Sequence, residues 1–252
     1  MTGKLFVVGL GPGNPDQVTP QASAAVAAAR WFYGYKPYLD RLALEPHQTV
    51  VASDNREELS RASAALAKAA EGETVAVVSG GDPGVFAMAA AVCEAIEAGP
   101  AEWRGIEIEI VPGVTAMLAV AARIGAPLGH DFCAISLSDN LKPWEIVEQR
   151  LEAAARAGFV IALYNPISKA RPWQLGKAFE RLREVLPPQT LVIFGRAAGR
   201  PDERIAVVPL TDARAEMADM ATCVIIGSPQ TRSVPRDGLP PLVYTPRSLA
   251  SQ

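Results

Sequence analysis

Val7-Val8-Gly9-Leu10-Gly11-Pro12-Gly13 runs from an apolar stretch straight into a loop of glycine and proline. The same punctuation returns at Val77-Val78-Ser79-Gly80-Gly81-Asp82-Pro83-Gly84 and at Ile108-Glu109-Ile110-Val111-Pro112-Gly113-Val114-Thr115-Ala116. A short apolar run rich in β-branched residues reads as a buried strand. A loop stripped of bulk beyond its carboxyl end lets a ligand rest against backbone amides. Three such units in the first half of the chain predict a parallel sheet whose strand-end loops bind a ligand.

Outward from these loops, strand-length runs at residues 5–8, 74–79, 106–111, 132–137, 159–164, 190–194, 205–209 and 222–227 alternate with Ala-rich segments of helical period. That alternation is the pattern of an α/β protein. Thr19 before Pro20, and Asp54 with Glu57 three residues on, read as helix starts, and Gly72 as a stop. Pro143 opens a further helix that Gly158 closes, and Pro187-Pro188 ends the one after Arg171. At Gly125-Ala126-Pro127-Leu128-Gly129-His130 the helical period stops, which predicts two α/β domains, 1–125 and 130–252. No repeat relates them. From Arg232 onward, prolines without periodicity read as a tail laid over the body.

With 252 residues, 49% hydrophobic and 20% charged, the chain has ample material for a packed core. A net charge of −3, a pI near 5.5 and the lack of a Lys/Arg block argue against a nucleic-acid partner. Cys93, Cys133 and Cys223 are odd in number, widely spaced and set in apolar stretches, which predicts buried thiols in a reducing cytoplasm, with neither disulfides nor a metal site. No signal-peptide core and no uncharged stretch of membrane-spanning length is present, so no membrane contact is expected.

Gly9 and Gly11 match the opening of a dinucleotide fingerprint. Asn14-Pro15-Asp16 then makes a turn where a helix should start, and no third glycine follows at the packing position. A nicotinamide-dependent reductase is thereby disfavoured, as is a nonenzymatic nucleotide sensor, because the second half supplies polar strand-end loops of its own. Asp82 suits a ligand's hydroxyl or ammonium group, or a cap for a helix near Val85. Thr115 stands where a helix begins, as cap or ligand contact. Asp139, in Ser136-Leu137-Ser138-Asp139-Asn140, is a candidate general base or the start of the helix near Pro143.

The three loops together resemble the tetrapyrrole methylase family of S-adenosylmethionine-dependent methyltransferases. The likeness continues through Leu163-Tyr164-Asn165-Pro166-Ile167-Ser168-Lys169-Ala170-Arg171, Phe194-Gly195-Arg196-Ala197-Ala198-Gly199-Arg200, Met220-Ala221-Thr222-Cys223-Val224-Ile225-Ile226-Gly227 and Tyr244-Thr245-Pro246-Arg247, which look like its ring-contracting branch. The resemblance implies a class III fold of two α/β domains with the active site in the cleft between them. It also implies methylation of a tetrapyrrole at C-17 with ring contraction, in cobalamin biosynthesis, by a homodimer that needs no metal. A branch whose substrate already holds cobalt fits the same motifs.

Carried over residue by residue, the resemblance gives Pro12, Gly80, Gly81, Asp82, Val85, Thr115 and Ala116 as cofactor contacts from the first half. From the second half it gives Leu137, Tyr164, Asn165, Ala197 and Thr222; at the place of Asn165 relatives often carry methionine. A macrocycle ringed with acetate and propionate groups calls for cationic forks. Ser168, Lys169, Arg171, Arg196 and Arg200, at or near strand ends, are the candidates, with Arg171 and Arg196 the preferred pair.

Overall fold

The central strands of the first half form where side chains can be buried on both faces of a sheet. A computed structural model describes residues 3–54, 57–168 and 170–248, and the chain divides into two compact units, Met1–Thr115 and Ala116–Gln252. The first contains β1 (Lys4–Gly9), α1 (Pro20–Ala28), β2 (Trp31–Tyr35), α2 (Lys36–Leu39), β3 (Thr49–Ser53), α3 (Glu58–Ala70), β4 (Thr74–Ser79), α4 (Met88–Ala98) and β5 (Glu107–Val111). Its sheet has the order β3-β2-β4-β1-β5, with every pair parallel. Leu5, Val7, Val75 and Val77 pack on one face with Ala62, Leu66 and Val92 of α3 and α4. Phe6, Val8, Ala76 and Val78 pack on the other with Ala22 and Ala25 of α1. This two-sided burial explains the unbroken apolar runs of β1 and β4.

β2 and β3 are additions to the strands expected from sequence. Gly34 interrupts the aromatic run of β2, and β3 is an exposed edge strand, so neither carries the pattern of a buried strand. Their parallel pairing with neighbours makes them strands. Thr19 caps α1 as expected, its Oγ1 accepting from the Ala22 amide at 3.0 Å. α3 starts at Glu58, later than the Asp54 cap suggests, although Glu57 Oε2 accepts from the Asp54 amide at 3.2 Å, as in a capping box. α4 starts at Met88, not near Val85.

The second unit contains α5 (Ala116–Ile124), β6 (Gly125–Ala126), β7 (Phe132–Ser136), α6 (Trp144–Arg156), β8 (Val160–Tyr164), α7 (Gln174–Arg183), β9 (Leu191–Arg196), β10 (Arg204–Pro209), β11 (Thr222–Ile226), β12 (Arg232–Arg236) and β13 (Leu239–Tyr244). Its main sheet runs β10-β9-β11-β8-β7. β7 and β8 are parallel, while β11 lies antiparallel to both β8 and β9. The carboxyl ends of β7, β8 and β9 and the amino end of β11 therefore share one edge. Leu151, Leu163, Phe179 and Val224 are among the core residues under α6 and α7.

Two organisational expectations are corrected. The division between units falls before α5, not after it at 125. Val120 of α5 packs so closely on β9 that a Cβ at Gly195 would lie 2.1 Å from its Cγ2, so the end of helical period at Gly125 is a helix stop and not a unit boundary. The segment from Arg232 is a hairpin, not an irregular tail. β12 pairs with β13 and β13 with β6, and the register shifts between Val234 and Arg236, around Pro235. The cysteines also differ from expectation: Cys223 is buried, Cys133 half-buried and Cys93 exposed on the outer face of α4. Among the described residues, no helix is long and apolar enough to cross a membrane.

Candidate functional site

In the first unit the three glycine loops interlock through their backbones. Gly11 N–H donates to the Gly81 carbonyl at 3.1 Å and Gly81 N–H returns a bond to the Gly11 carbonyl at 2.9 Å. A Cβ at Gly9 would sit 2.7 Å from Gly81 O, and one at Gly113 only 2.3 Å from the same oxygen. The missing bulk thus serves first to let the loops touch one another. Asp82 ties them further, its Oδ1 accepting from Gly84 N–H at 2.8 Å and its Oδ2 from Gly113 N–H at 3.0 Å. Arg41, which sequence reading missed, donates Nη2 to the Leu10 and Gly11 carbonyls at 2.6 and 3.1 Å.

Around this knot Pro12 is buried, Gly80 lies against the Tyr38 ring, and Thr115 is buried beside Gly81. Val85 is half-buried, its amide 3.3 Å from the Asp82 carbonyl, and Ala116 is half-buried where α5 begins. Asp82 is thus a clamp between loops and not the cap of a helix.

In the second unit the expected residues gather at the shared sheet edge. Leu137 N–H donates to the Tyr164 carbonyl at 2.9 Å, Ala197 N–H to the Ala221 carbonyl at 2.9 Å, and Thr222 pairs with Arg196 across the ladder. The Leu137 side chain is wholly in the core, which leaves its backbone for any contact. Asn165 Nδ2 donates to Ser136 Oγ at 2.9 Å, and the Tyr164 hydroxyl accepts from Met117 N–H at 3.0 Å, in the first turn of α5. These two partners were not legible in sequence, because they are far apart along the chain.

Among the described residues, the non-glycine positions with left-handed backbone are Phe86, Asn165 and Ala197, at φ 53°, 51° and 49°. All three lie in strand-end loops, where strain concentrates at ligand sites. Such conformations persist only when the surrounding structure over-determines them.

Two of the candidate substrate cations, Arg196 and Arg171, are engaged with carboxylates. Arg196 donates Nε to Asp219 Oδ2 at 2.7 Å and Nη1 to Asp202 Oδ2 at 2.6 Å. The Arg196 guanidinium holds the Asp202 carboxyl below the usual carboxylate range. Burial alone would raise Asp219, but bonds from Arg196, Thr222 and the Ala221 amide draw it lower. Arg171 Nη1 pairs with Asp139 Oδ1, which also accepts from Gln174 Nε2 at 3.0 Å. Arg200 N–H donates to the Ala197 carbonyl at 2.9 Å, and Lys169 lies outside the described residues. Asp202, Asp219 and Gln174 are further polar partners that no local motif announced.

A cavity of about 570 Å³ lies at the opposite end of the second unit's main sheet, lined in part by His130, Gly158, Leu186 and Ser228. None of the expected site residues lines it. Among the described residues, no group of three or more His, Cys, Asp or Glu side chains could hold a metal ion.

The model of the Tetrapyrrole (Corrin/Porphyrin) Methylases matches residues 4–214. A precorrin-3B C(17)-methyltransferase from Sinorhizobium sp is 74% identical over 250 residues, covering 99% of this chain and 98% of that protein. A probable cobalt-factor III C(17)-methyltransferase from Salmonella typhimurium is 39% identical over 96% of this chain and 98% of its own. The crystal structure of the methyltransferase CobJ is 56% identical, with a TM-score of 0.92, covering 97% of this chain and 100% of the other. Matched by the family model through most of its length and alike in fold to a solved methyltransferase, this chain belongs to the tetrapyrrole (corrin/porphyrin) methylases.

Proposed function

We propose that the protein methylates precorrin-3B at C-17 with ring contraction to precorrin-4, in cobalamin biosynthesis, using S-adenosylmethionine. The observation that carries this reading is the 74% identity, end to end, to a precorrin-3B C(17)-methyltransferase. The cobalt-factor relative, at 39%, stands well behind it.

Once bound, S-adenosylmethionine would supply an electrophilic methyl carbon to a macrocycle carbon, with its sulfur leaving as the thioether of S-adenosylhomocysteine. The protein's part is to bind, orient and exclude water. The loops fit such a donor. Each Asp82 oxygen accepts one backbone amide and keeps acceptor capacity for a hydroxyl or ammonium group. Pro12, Gly80, Gly81, Val85, Thr115 and Ala116 surround it in our reading, and Leu137, Tyr164, Asn165, Ala197 and Thr222 supply the contacts from the second unit. The same reading gives a cytoplasmic homodimer without a resident metal or a nucleic-acid partner, and light scattering tests the dimer.

The decisive experiment is calorimetric titration with S-adenosylhomocysteine and, in parallel, NAD, followed by turnover of metal-free and cobalt-containing tetrapyrroles. Saturable micromolar binding of the first ligand alone, with turnover of the metal-free substrate, is expected. Binding of NAD alone overturns the reading, and turnover of the cobalt form alone replaces it with the cobalt-factor activity. Asp82→Ala removes the acceptor for two amides and is expected to weaken S-adenosylhomocysteine by about 10- to 100-fold, given ~1.5–3 kcal/mol for bonds to a charged group. An unchanged dissociation constant would take Asp82 out of the cofactor site.

A further inference from the structure

One turn of the second unit holds two buried polar atoms that have no hydrogen-bond partner among the described residues. Ser168 and Arg171 close it by reciprocal backbone bonds of 3.3 and 3.0 Å. Inside it, Ser168 Oγ and Arg171 Nε are both buried and without a hydrogen-bond partner among the described residues. Buried polar groups in folded proteins are nearly always paired, whether with protein, ordered water or a bound ligand.

The Arg171 side chain is nonetheless held. Its Nη1 is paired with Asp139 Oδ1, each side chain being 22% exposed, and Gln174, only 2% exposed, donates to that same oxygen at 3.0 Å. One corner of the guanidinium is therefore braced from behind. The edge carrying Nε is the side-on fork that grips a carboxylate, and its Nε–H has no acceptor among the described residues. Lys142, whose Nζ donates to the Ser138 carbonyl at 3.1 Å, adds a second positive charge near Asp139. The local balance favours an incoming anion.

We propose that Arg171 Nε and the Ser168 hydroxyl form the seat of one carboxylate arm of the tetrapyrrole, with Asp139, backed by Gln174, as the positioning residue that aims Arg171 rather than the general base. This rests on the functional reading above, because it needs a substrate with acidic arms.

The test uses the full-length protein and its Ser168→Ala and Asp139→Asn variants. It measures KM and kcat for the metal-free tetrapyrrole, the pH profile of kcat, and S-adenosylhomocysteine affinity by calorimetry. Ser168→Ala is expected to raise KM about tenfold, as for one lost hydrogen bond, with kcat and cofactor affinity unmoved. Asp139→Asn is expected to raise KM similarly and keep the pH profile of kcat. If Ser168→Ala leaves KM unchanged and raises the melting temperature, as deleting an idle buried hydroxyl would, the seat is overturned. If Asp139→Asn lowers kcat by about 10²-fold or more and abolishes a limb of the pH profile, Asp139 is the base and the positioning role falls. Wild-type protein that neither binds S-adenosylhomocysteine nor turns over a tetrapyrrole overturns the functional reading itself, and the seat with it.

Discussion

Alanine at Gly113 is expected to abolish measurable S-adenosylhomocysteine binding and to destabilise the first unit by about 3 kcal/mol, the upper range for overpacking. The added Cβ would lie 2.3 Å from Gly81 O, 2.8 Å from Gly9 O and 2.9 Å from Gly9 C. All three are backbone atoms, and none can swing aside. Gly81 O is held by the Gly11 amide, and Gly9 ends β1 in register with Ser79 of β4. Relief therefore means parting the loops, which also breaks the bond from Gly113 N–H to Asp82. Gly105→Ala is the control, since a Cβ there meets nothing within 4 Å. Thermal denaturation and calorimetry on the two variants decide the matter. If Gly113→Ala behaves like Gly105→Ala, the interlocked loops are not what shapes the site.

Phe179→Ala is expected to cost about 4 kcal/mol, as for a large aromatic removed from a close-packed core. Phe179 is 1% exposed, meets Phe194 of β9 edge-on at 6.0 Å, and lies under the Arg183 guanidinium at 5.7 Å. It anchors α7 to the sheet. The first residue of that helix is Gln174, which braces Asp139 and, through it, Arg171. Loss of the anchor should therefore lower the denaturant midpoint and also raise KM for the tetrapyrrole. Leu141→Ala, at a side chain 96% exposed, should fall within about 0.5 kcal/mol of wild type. A Phe179→Ala midpoint equal to that of Leu141→Ala would refute the anchoring role.

How much of this was legible beforehand depended on how local the cause was. β1 and β4 were readable because burial on both faces demands apolar side chains at every position. Helix starts and stops such as Thr19, Pro143, Gly72 and Gly158 were readable because capping is settled within a few residues. The loops that the family resemblance singles out could be named because their glycine punctuation is itself sequence.

The partners were not readable. Asp139 meets Arg171 across 32 residues, Arg196 meets Asp219 across 23, and Tyr164 meets Met117 across 47. A charged residue at a strand end looks the same in sequence whether it waits for a ligand or holds a carboxylate of its own chain. β3 and the β12–β13 hairpin were hidden for a related reason. Their residues are largely exposed, and Pro235, Pro240 and Pro241 oppose strand formation, so ladder bonds to neighbours outweigh weak local preference.

The sequence by itself determined the α/β class, the central strands and the family's loops, because hydrophobic period and turn chemistry act over a few residues. Only the tertiary structure decided where the units divide, that the glycine loops lock onto one another, and which arginines already hold carboxylates. Those outcomes follow from close approach between segments distant along the chain, which no local pattern records.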